Sequence, residues 1–139
     1  MEIEEVEKAT LVDWNEIYEK IDKAFLIVEA NSKIVEKFAK KIEKGMKTVE
    51  IMNRRYSILS IVKCLLVAKI INPVGQTEIN YICRYLKEHK EISDKLGFQS
   101  ELIKSNMFRA VRKKIESRGL TEEFLEIVEK ISKGKENNV

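Results

Sequence analysis

Residues 56–71 read Y-S-I-L-S-I-V-K-C-L-L-V-A-K-I-I, a run that is apolar on nearly every side of a helical wheel. Only Ser57, Ser60, Lys63 and Lys69 interrupt it. A helix that is hydrophobic all round has no side to turn to water, so other helices must wrap it. The run is shorter than the ~20 apolar residues a bilayer needs, and it carries two lysines. It is therefore expected to be a core helix, with no membrane association.

The rest of the chain can supply the wrapping. In 139 residues there are five glycines and one proline, against 44% hydrophobic and 35% charged residues. So few breakers argue for long helices over many short strands. The expected architecture is all-α: a single-domain helical bundle, residues 1–134, of about five to six helices, followed by a disordered polar tail at 135–139. Charged residues are mostly Lys and Glu, and only two glutamines occur, a thermophile-like composition. Residues 1–5 are acidic where a secretory signal would be basic, so the expected location is cytoplasmic. Cys64 and Cys83 lack metal-type spacing. A disulfide between them requires their helices to lie side by side, and reduced thiols are expected inside a cell.

Asp13 reads as a helix cap, with Glu16 three residues on. Leu11, Trp14, Tyr18, Ile21, Phe25 and Val28 then form an a/d-like seam. The seam suits packing on the bundle core. It also makes residues 11–28 the first candidate surface for a protein partner or a second copy. Asn31 or Ser32 restarts a helix with Ile34, Val35, Phe38 and Ile42 inward, closed near Gly45. Asn72-Pro73-Val74-Gly75 breaks the core helix. Thr77 can cap the next one, and residues 77–96 can run as one helix or as two. Gly97-Phe98-Gln99 reads as a turn, and Ser100 as the cap of a helix over 100–118 that buries Phe108, Val111 and Ile115. Gly119 and Leu120 fit a Schellman stop. A last helix starts at Thr121, buries Phe124, Leu125, Val128 and Ile131, and is expected to stop at Gly134.

Charge is unevenly spread. Residues 1–30 hold three lysines against nine carboxylates, and residues 31–75 hold ten basic side chains against three glutamates. Lys33, Lys37, Lys40, Lys41, Lys44 and Lys47 recur at helical spacing, which aligns ammonium groups in one stripe. Such a stripe can track phosphates. It can equally be a solvated face, with Glu36–Lys40 and Glu43–Lys47 as i,i+4 pairs. Residues 104–118 carry six basic side chains against Glu116 alone. With Phe108, Val111 and Ile115 inward, Ser105, Asn106, Arg109, Arg112 and Lys113 point outward, an order that suits base edges first and phosphates after. An amphipathic bundle helix with a basic outer side accounts for the same pattern.

Chemistry of other kinds finds little footing. His89 is the only histidine and lies in a charged run expected to be solvated. There is no Gly-rich phosphate loop, no H-E-x-x-H and no zinc-type Cys/His cluster, and three scattered aspartates do not suit a two-metal site. No enzyme activity, cofactor or metal is expected.

Glu91-Ile92-Ser93-Asp94-Lys95-Leu96-Gly97-Phe98, followed by the basic helix, resembles the helix-turn-helix units of bacterial and archaeal transcription regulators. Ser93 stands where those units carry a small residue, Gly97 at their turn, and Ile92, Leu96 and Ile103 at inward positions. The pattern departs at Asn106, where the family has a hydrophobe; a turn one residue longer would bring Met107 into phase. The resemblance spans about twenty-five residues and shows no wing, since Leu120 leads straight into a helix. It implies that the second helix enters the DNA major groove. The expected function is a small nucleic-acid-binding protein, with duplex DNA favoured: a regulator, or a replication or partition accessory factor. Binding is expected through Ser105, Asn106, Arg109, Arg112 and Lys113, aided by Lys37, Lys41 and Lys44. One recognition helix supplies few contacts, so a homodimer is expected. The alternative is a helical interaction subunit or adaptor, including a non-sequence-specific subunit of a larger nucleoprotein complex.

Overall fold

A computed structural model describes residues 13–72, 78–99 and 103–137. Among them are seven helices and one hairpin, in the order α1 (Trp14–Ala30), α2 (Ser32–Glu43), β1 (Thr48–Ile51), β2 (Arg54–Ser57), α3 (Ile58–Ile71), α4 (Glu78–Glu88), α5 (Lys90–Leu96), α6 (Ser105–Ser117) and α7 (Thr121–Asn137). The fold is an all-α single-domain bundle, and none of the described helices is long and apolar enough to cross a membrane. Helix α3 is its centre and packs against α1, α2, α4, α6, α7 and β2.

The polar interruptions of α3 are tied down. Ser57 caps it, its Oγ accepting from the Ser60 amide at 3.2 Å, and the Ser60 hydroxyl donates to the Leu96 carbonyl at 2.8 Å. Lys63, only 17% exposed, reaches Glu29 of α1 at 3.1 Å. Cys64 is fully buried as a free thiol, and Cys83 is a second free buried thiol on the adjoining α4.

Helix α1 begins as expected, with Asp13 Oδ1 accepting from the Glu16 amide at 3.2 Å. Its seam turns inward onto α3 and α4: Ile21 and Val28 are buried, and Trp14, Tyr18 and Phe25 join an aromatic clasp with α4. Leu11 lies outside the described residues. A partner meeting α1 would therefore find Glu16, Lys20, Lys23 and Leu26 outward, not the seam. In the clasp Tyr18 donates to Glu88, Tyr85 donates to Asp22, and the Arg84 guanidinium lies 3.9 Å above the Trp14 ring. His89 belongs to this clasp as well. Instead of standing in solvent it stacks on Tyr85 at 4.0 Å, with Nδ1 2.8 Å from the Tyr85 carbonyl.

His89 also answers whether residues 77–96 form one helix. Its backbone leaves the helical region (φ −116°, ψ 74°), dividing α4 from α5. Buried Ser93 donates to the Leu86 carbonyl across this elbow, which explains why a small hydroxyl residue stands there. Helix α5 stops at Gly97 (φ +80°), where the Phe98 amide reaches the Ser93 carbonyl at 2.8 Å. Helix α6 stops in the same way, at Gly119 (φ +67°), with Leu120 bonded to the Ile115 carbonyl at 2.9 Å. Both are Schellman stops with an apolar residue after the glycine.

Three expectations need correction. The basic helix does not occupy 100–118 but begins at Ser105: buried Ile103 and extended Lys104 (φ −138°, ψ 152°) precede it, because Ile103 is drawn into the core. Ser100 itself lies outside the described residues. Eight residues then separate Leu96 from Ser105, against the three or four of a compact helix-turn-helix. Next, Gly134 does not end the last helix. Helix α7 runs to Asn137, so the polar tail expected from 135 is in part helical. One glycine costs a helix only about 1 kcal/mol, and Lys and Glu beside it are good helix formers.

The third correction is the hairpin, which was not foreseen. Residues β1 and β2 pair antiparallel, with Val49 opposite Tyr56 and Ile51 opposite Arg54. The two-residue loop Met52-Asn53 has positive φ at both positions (52° and 65°), the backbone of a type I′ turn. Asn tolerates that conformation, whereas for Met it costs roughly 1 kcal/mol. Met52→Asn should therefore stabilise the protein by about 1 kcal/mol, raising Tm by roughly 3–5 °C. Thermal unfolding followed by circular dichroism checks this, and an unchanged or lower Tm would mean that the turn is not strained at Met52.

Candidate nucleic-acid interface

Helix α6 buries Met107, Phe108, Val111 and Ile115 against the bundle. Met107 is thus fully inward, and Asn106 is left on the outside. Asn106, Arg109 and Lys113 are exposed, while Ser105 and Arg112 are half-buried at the flank. Of the expected α6 contacts, three are therefore exposed. None of the five basic side chains Lys104, Arg109, Arg112, Lys113 and Lys114 takes part in a salt bridge among the described residues. No acidic residue occupies the first turn of α6, so its amide groups and the cations beyond them present one sign of charge.

The basic surface continues onto α4. Burial pushes the Cys83 thiol up to about 11, and Lys87 and Arg109 both hold it down against that effect. Helix α4 packs against α6, and exposed Lys87 and Arg109 come from these two helices. At the other end of α6 the Arg118 guanidinium donates to the Lys41 carbonyl at 3.5 Å, bringing the end of α2 alongside.

The lysine stripe of α2 is less uniform than its spacing implies. Lys41 is paired with Glu123 at the start of α7. Lys37 and Lys41 border a cavity of about 300 Å³ that also holds Glu123, Glu126 and Lys130. Lys44 is exposed in the left-handed conformation that ends α2 (φ 44°). Lys37 and Lys44 are available to phosphates, and Lys41 only in competition with Glu123.

The hairpin adds residues that were not singled out. Exposed Arg54 and Arg55 border a recess of about 240 Å³ with Tyr56, Gly97 and Gln99. Arg54 Nη1 donates to Gln99 Oε1 at 3.4 Å. A chain of ring contacts, Tyr56 to Phe98 at 6.3 Å and Phe98 to Phe108 at 6.5 Å, fastens β2 to the N-terminal half of α6. Strand β1 packs on α6 directly. A signal was present in Thr48-Val49-Glu50-Ile51, whose Val49 and Ile51 alternate with Glu50 before Asn53, but four residues are short for a period-2 pattern.

Among the described residues no group of three or more His, Cys, Asp or Glu side chains is placed to hold a metal ion. No protein-family model matches the chain, and no curated protein or solved structure is significantly similar to it. The helix-turn-helix resemblance therefore rests on residues 91–118 alone.

The burial of Cys83 makes stability depend on pH. Its folded pKa is raised from the ordinary 9.0 to about 11, so the fold favours the neutral thiol. That contribution is full below pH 9 and is lost as pH rises from 9 through about 11. Burial moves Cys64 upward too, and burial together with the Asp22 hydrogen bond does the same for Tyr85. Denaturant midpoints should therefore decline across this window, and Cys83→Ala should lessen the decline. In Arg109→Glu the Cys83 thiolate absorbance should appear at still higher pH.

Proposed function

We propose that the protein binds duplex DNA through the outward side of α6. Asn106 and Arg109 would approach base edges in the major groove, with Ser105 beside them. Lys113 and Arg112 would lie on flanking phosphates, with Lys37, Lys44 and more weakly Lys41 extending the phosphate track. One observation carries this reading: a helix with exposed Asn106, Arg109 and Lys113 that no carboxylate neutralises among the described residues. Lys20, Lys41, Lys63, Arg84 and Lys133 on other elements do have acidic partners, while Lys37 and Lys44, like the α6 cations, are in no salt bridge among the described residues. The long α5–α6 connection means that α6 would reach the groove as an independently braced helix rather than as half of a compact helix-turn-helix. A regulator or a replication or partition accessory factor fits such binding, with two copies on paired half-sites.

A second reading has its own support. Leu26 is 65% exposed beside a groove of about 540 Å³ floored by Phe25, Tyr85, Ile92 and Leu96, which suits an apolar side chain of a protein partner. A helical adaptor would use this side of the molecule and leave α6 idle.

The two readings separate in one experiment. Arg109→Glu with Lys113→Glu should abolish shifting of a random duplex at low salt. Wild-type binding should weaken with salt along a steep logarithmic slope. Leu26→Asp should leave the shift intact. Retention of wild-type affinity and slope by the α6 variant would dispose of the DNA assignment.

A further inference from the structure

The hairpin tip is an anomaly in an otherwise well-satisfied fold. Met52 stands in a left-handed backbone that favours Asn or Gly, and its side chain is 73% exposed. One residue thus carries both a backbone strain and an exposed apolar surface, although Asn at the same place would relieve both. Met46, 71% exposed, stands at the base of the same hairpin. Around them Lys44, Lys47, Arg54 and Arg55 are exposed, against Glu50 as the one acid between residues 44 and 55.

We propose that this tip is a second contact on the DNA that α6 engages, with Met52 wedged into the minor groove and Arg54 and Arg55 against its walls and phosphates. The inference rests on the duplex reading of α6 and gives the hairpin a role in it. Minor-groove readers pair an apolar wedge with basic side chains in this way, because the narrow groove concentrates negative potential and a base step can be unstacked by a flexible apolar side chain. The packing supports the placement. Tyr56, Phe98 and Phe108 hold β2 to the N-terminal half of α6, so the tip and the base-reading end of the helix form one braced unit. Strands of four residues reach about 13 Å. This is of the order of the ~12 Å major-groove width, the scale of the distance a tip beside a seated helix must cover to reach the next groove. In the recess beside the tip, Arg54, Arg55, Gln99 and the Gly97 backbone contribute no carboxylate. Glu50, which faces Arg55 across the hairpin, is the one acid next to this recess, against two arginines within it.

The test uses the full chain and duplexes carrying 2-aminopurine, whose fluorescence rises when a base step is unstacked. Four proteins are compared: wild type, Met52→Asn, Arg54→Ala with Arg55→Ala, and Arg109→Glu with Lys113→Glu. Wild type should raise the fluorescence and displace a minor-groove dye. Met52→Asn, expected to fold at least as stably, should keep the salt slope but lose the fluorescence gain. It should bind about tenfold more weakly, the worth of one buried methionine side chain. The arginine pair variant should reduce the slope by about two. If the α6 variant loses binding while both hairpin variants match wild type in affinity, slope and fluorescence, the hairpin role falls and the α6 assignment stands. If wild type does not bind duplex, or if the α6 variant binds like wild type, the duplex reading falls first and takes this inference with it. Preferential capture of wild type, but not Met52→Asn, by phosphatidylserine vesicles over duplex would also overturn it.

Discussion

The absence of a polar face on α3 is the constraint from which the rest of the structure follows. A helix apolar on all sides is stable in water only when enclosed, so every amphipathic segment must contribute a side to it. The enclosure is complete enough that, among the described residues, no buried side-chain polar atom lacks a hydrogen bond. Ser57 caps α3 itself, and Ser60 and Lys63 are the points where α3 holds its neighbours in register rather than flaws in an apolar cylinder. Ser60 grips the end of α5, and Lys63 grips α1 through Glu29.

These grips position α6. The Ser60 bond fixes Leu96, the Ser93 bond fixes the α4–α5 elbow, and Gly97 turns the chain so that Phe98 enters the core. Phe98 is the junction: it meets Tyr56 of the hairpin on one side and Phe108 of α6 on the other. Helix and hairpin therefore share a single apolar anchor, and their exposed sides are oriented by the same packed rings. The positive-φ glycine that resembles a helix-turn-helix turn acts here as a Schellman stop that delivers Phe98 to that junction. The resemblance is then local: Ser93 and Gly97 have physical reasons to be small and left-handed whether or not the next helix follows closely.

Legibility in the sequence tracked how local the determining physics was. The α3 run, the Asp13 cap and the Gly119 stop are set by neighbours within about one helical turn, and they were readable. The exposure of Asn106, Arg109 and Lys113 was readable too, because Phe108, Val111 and Ile115 fix the phase of α6, while Ser105 and Arg112 are half-buried. Four features were not legible, three of them because distant contacts decide them. The start of α6 moved to Ser105 because the core claims Ile103, which spacing alone cannot show. His89 looked solvated among charged neighbours, but rings from α1 and α4 cover it. The hairpin was hidden because its strands are short and its turn uses Met52, a residue that signals no turn. The pairing of Lys41 with Glu123 joins residues far apart in the chain, so the lysine stripe could not reveal which of its members was already engaged.

That last distinction bears most directly on function. On a surface built mainly of Lys and Glu, ion pairs form readily at i,i+4 spacing, as in Glu16–Lys20, Arg84–Glu88 and Glu129–Lys133, and across elements, as in Lys63–Glu29 and Lys41–Glu123. Each exposed pair contributes little to stability, so folding alone exerts weak pressure on where they occur. Yet all five lie off α6 and off the hairpin, the two elements that share the Phe98 anchor. Uncompensated cations repel one another, and Met52 adds strain and exposed apolar surface beside them. Repulsion among these cations and the strain at Met52 do nothing for the fold, and they are the features on which the proposed duplex contact rests.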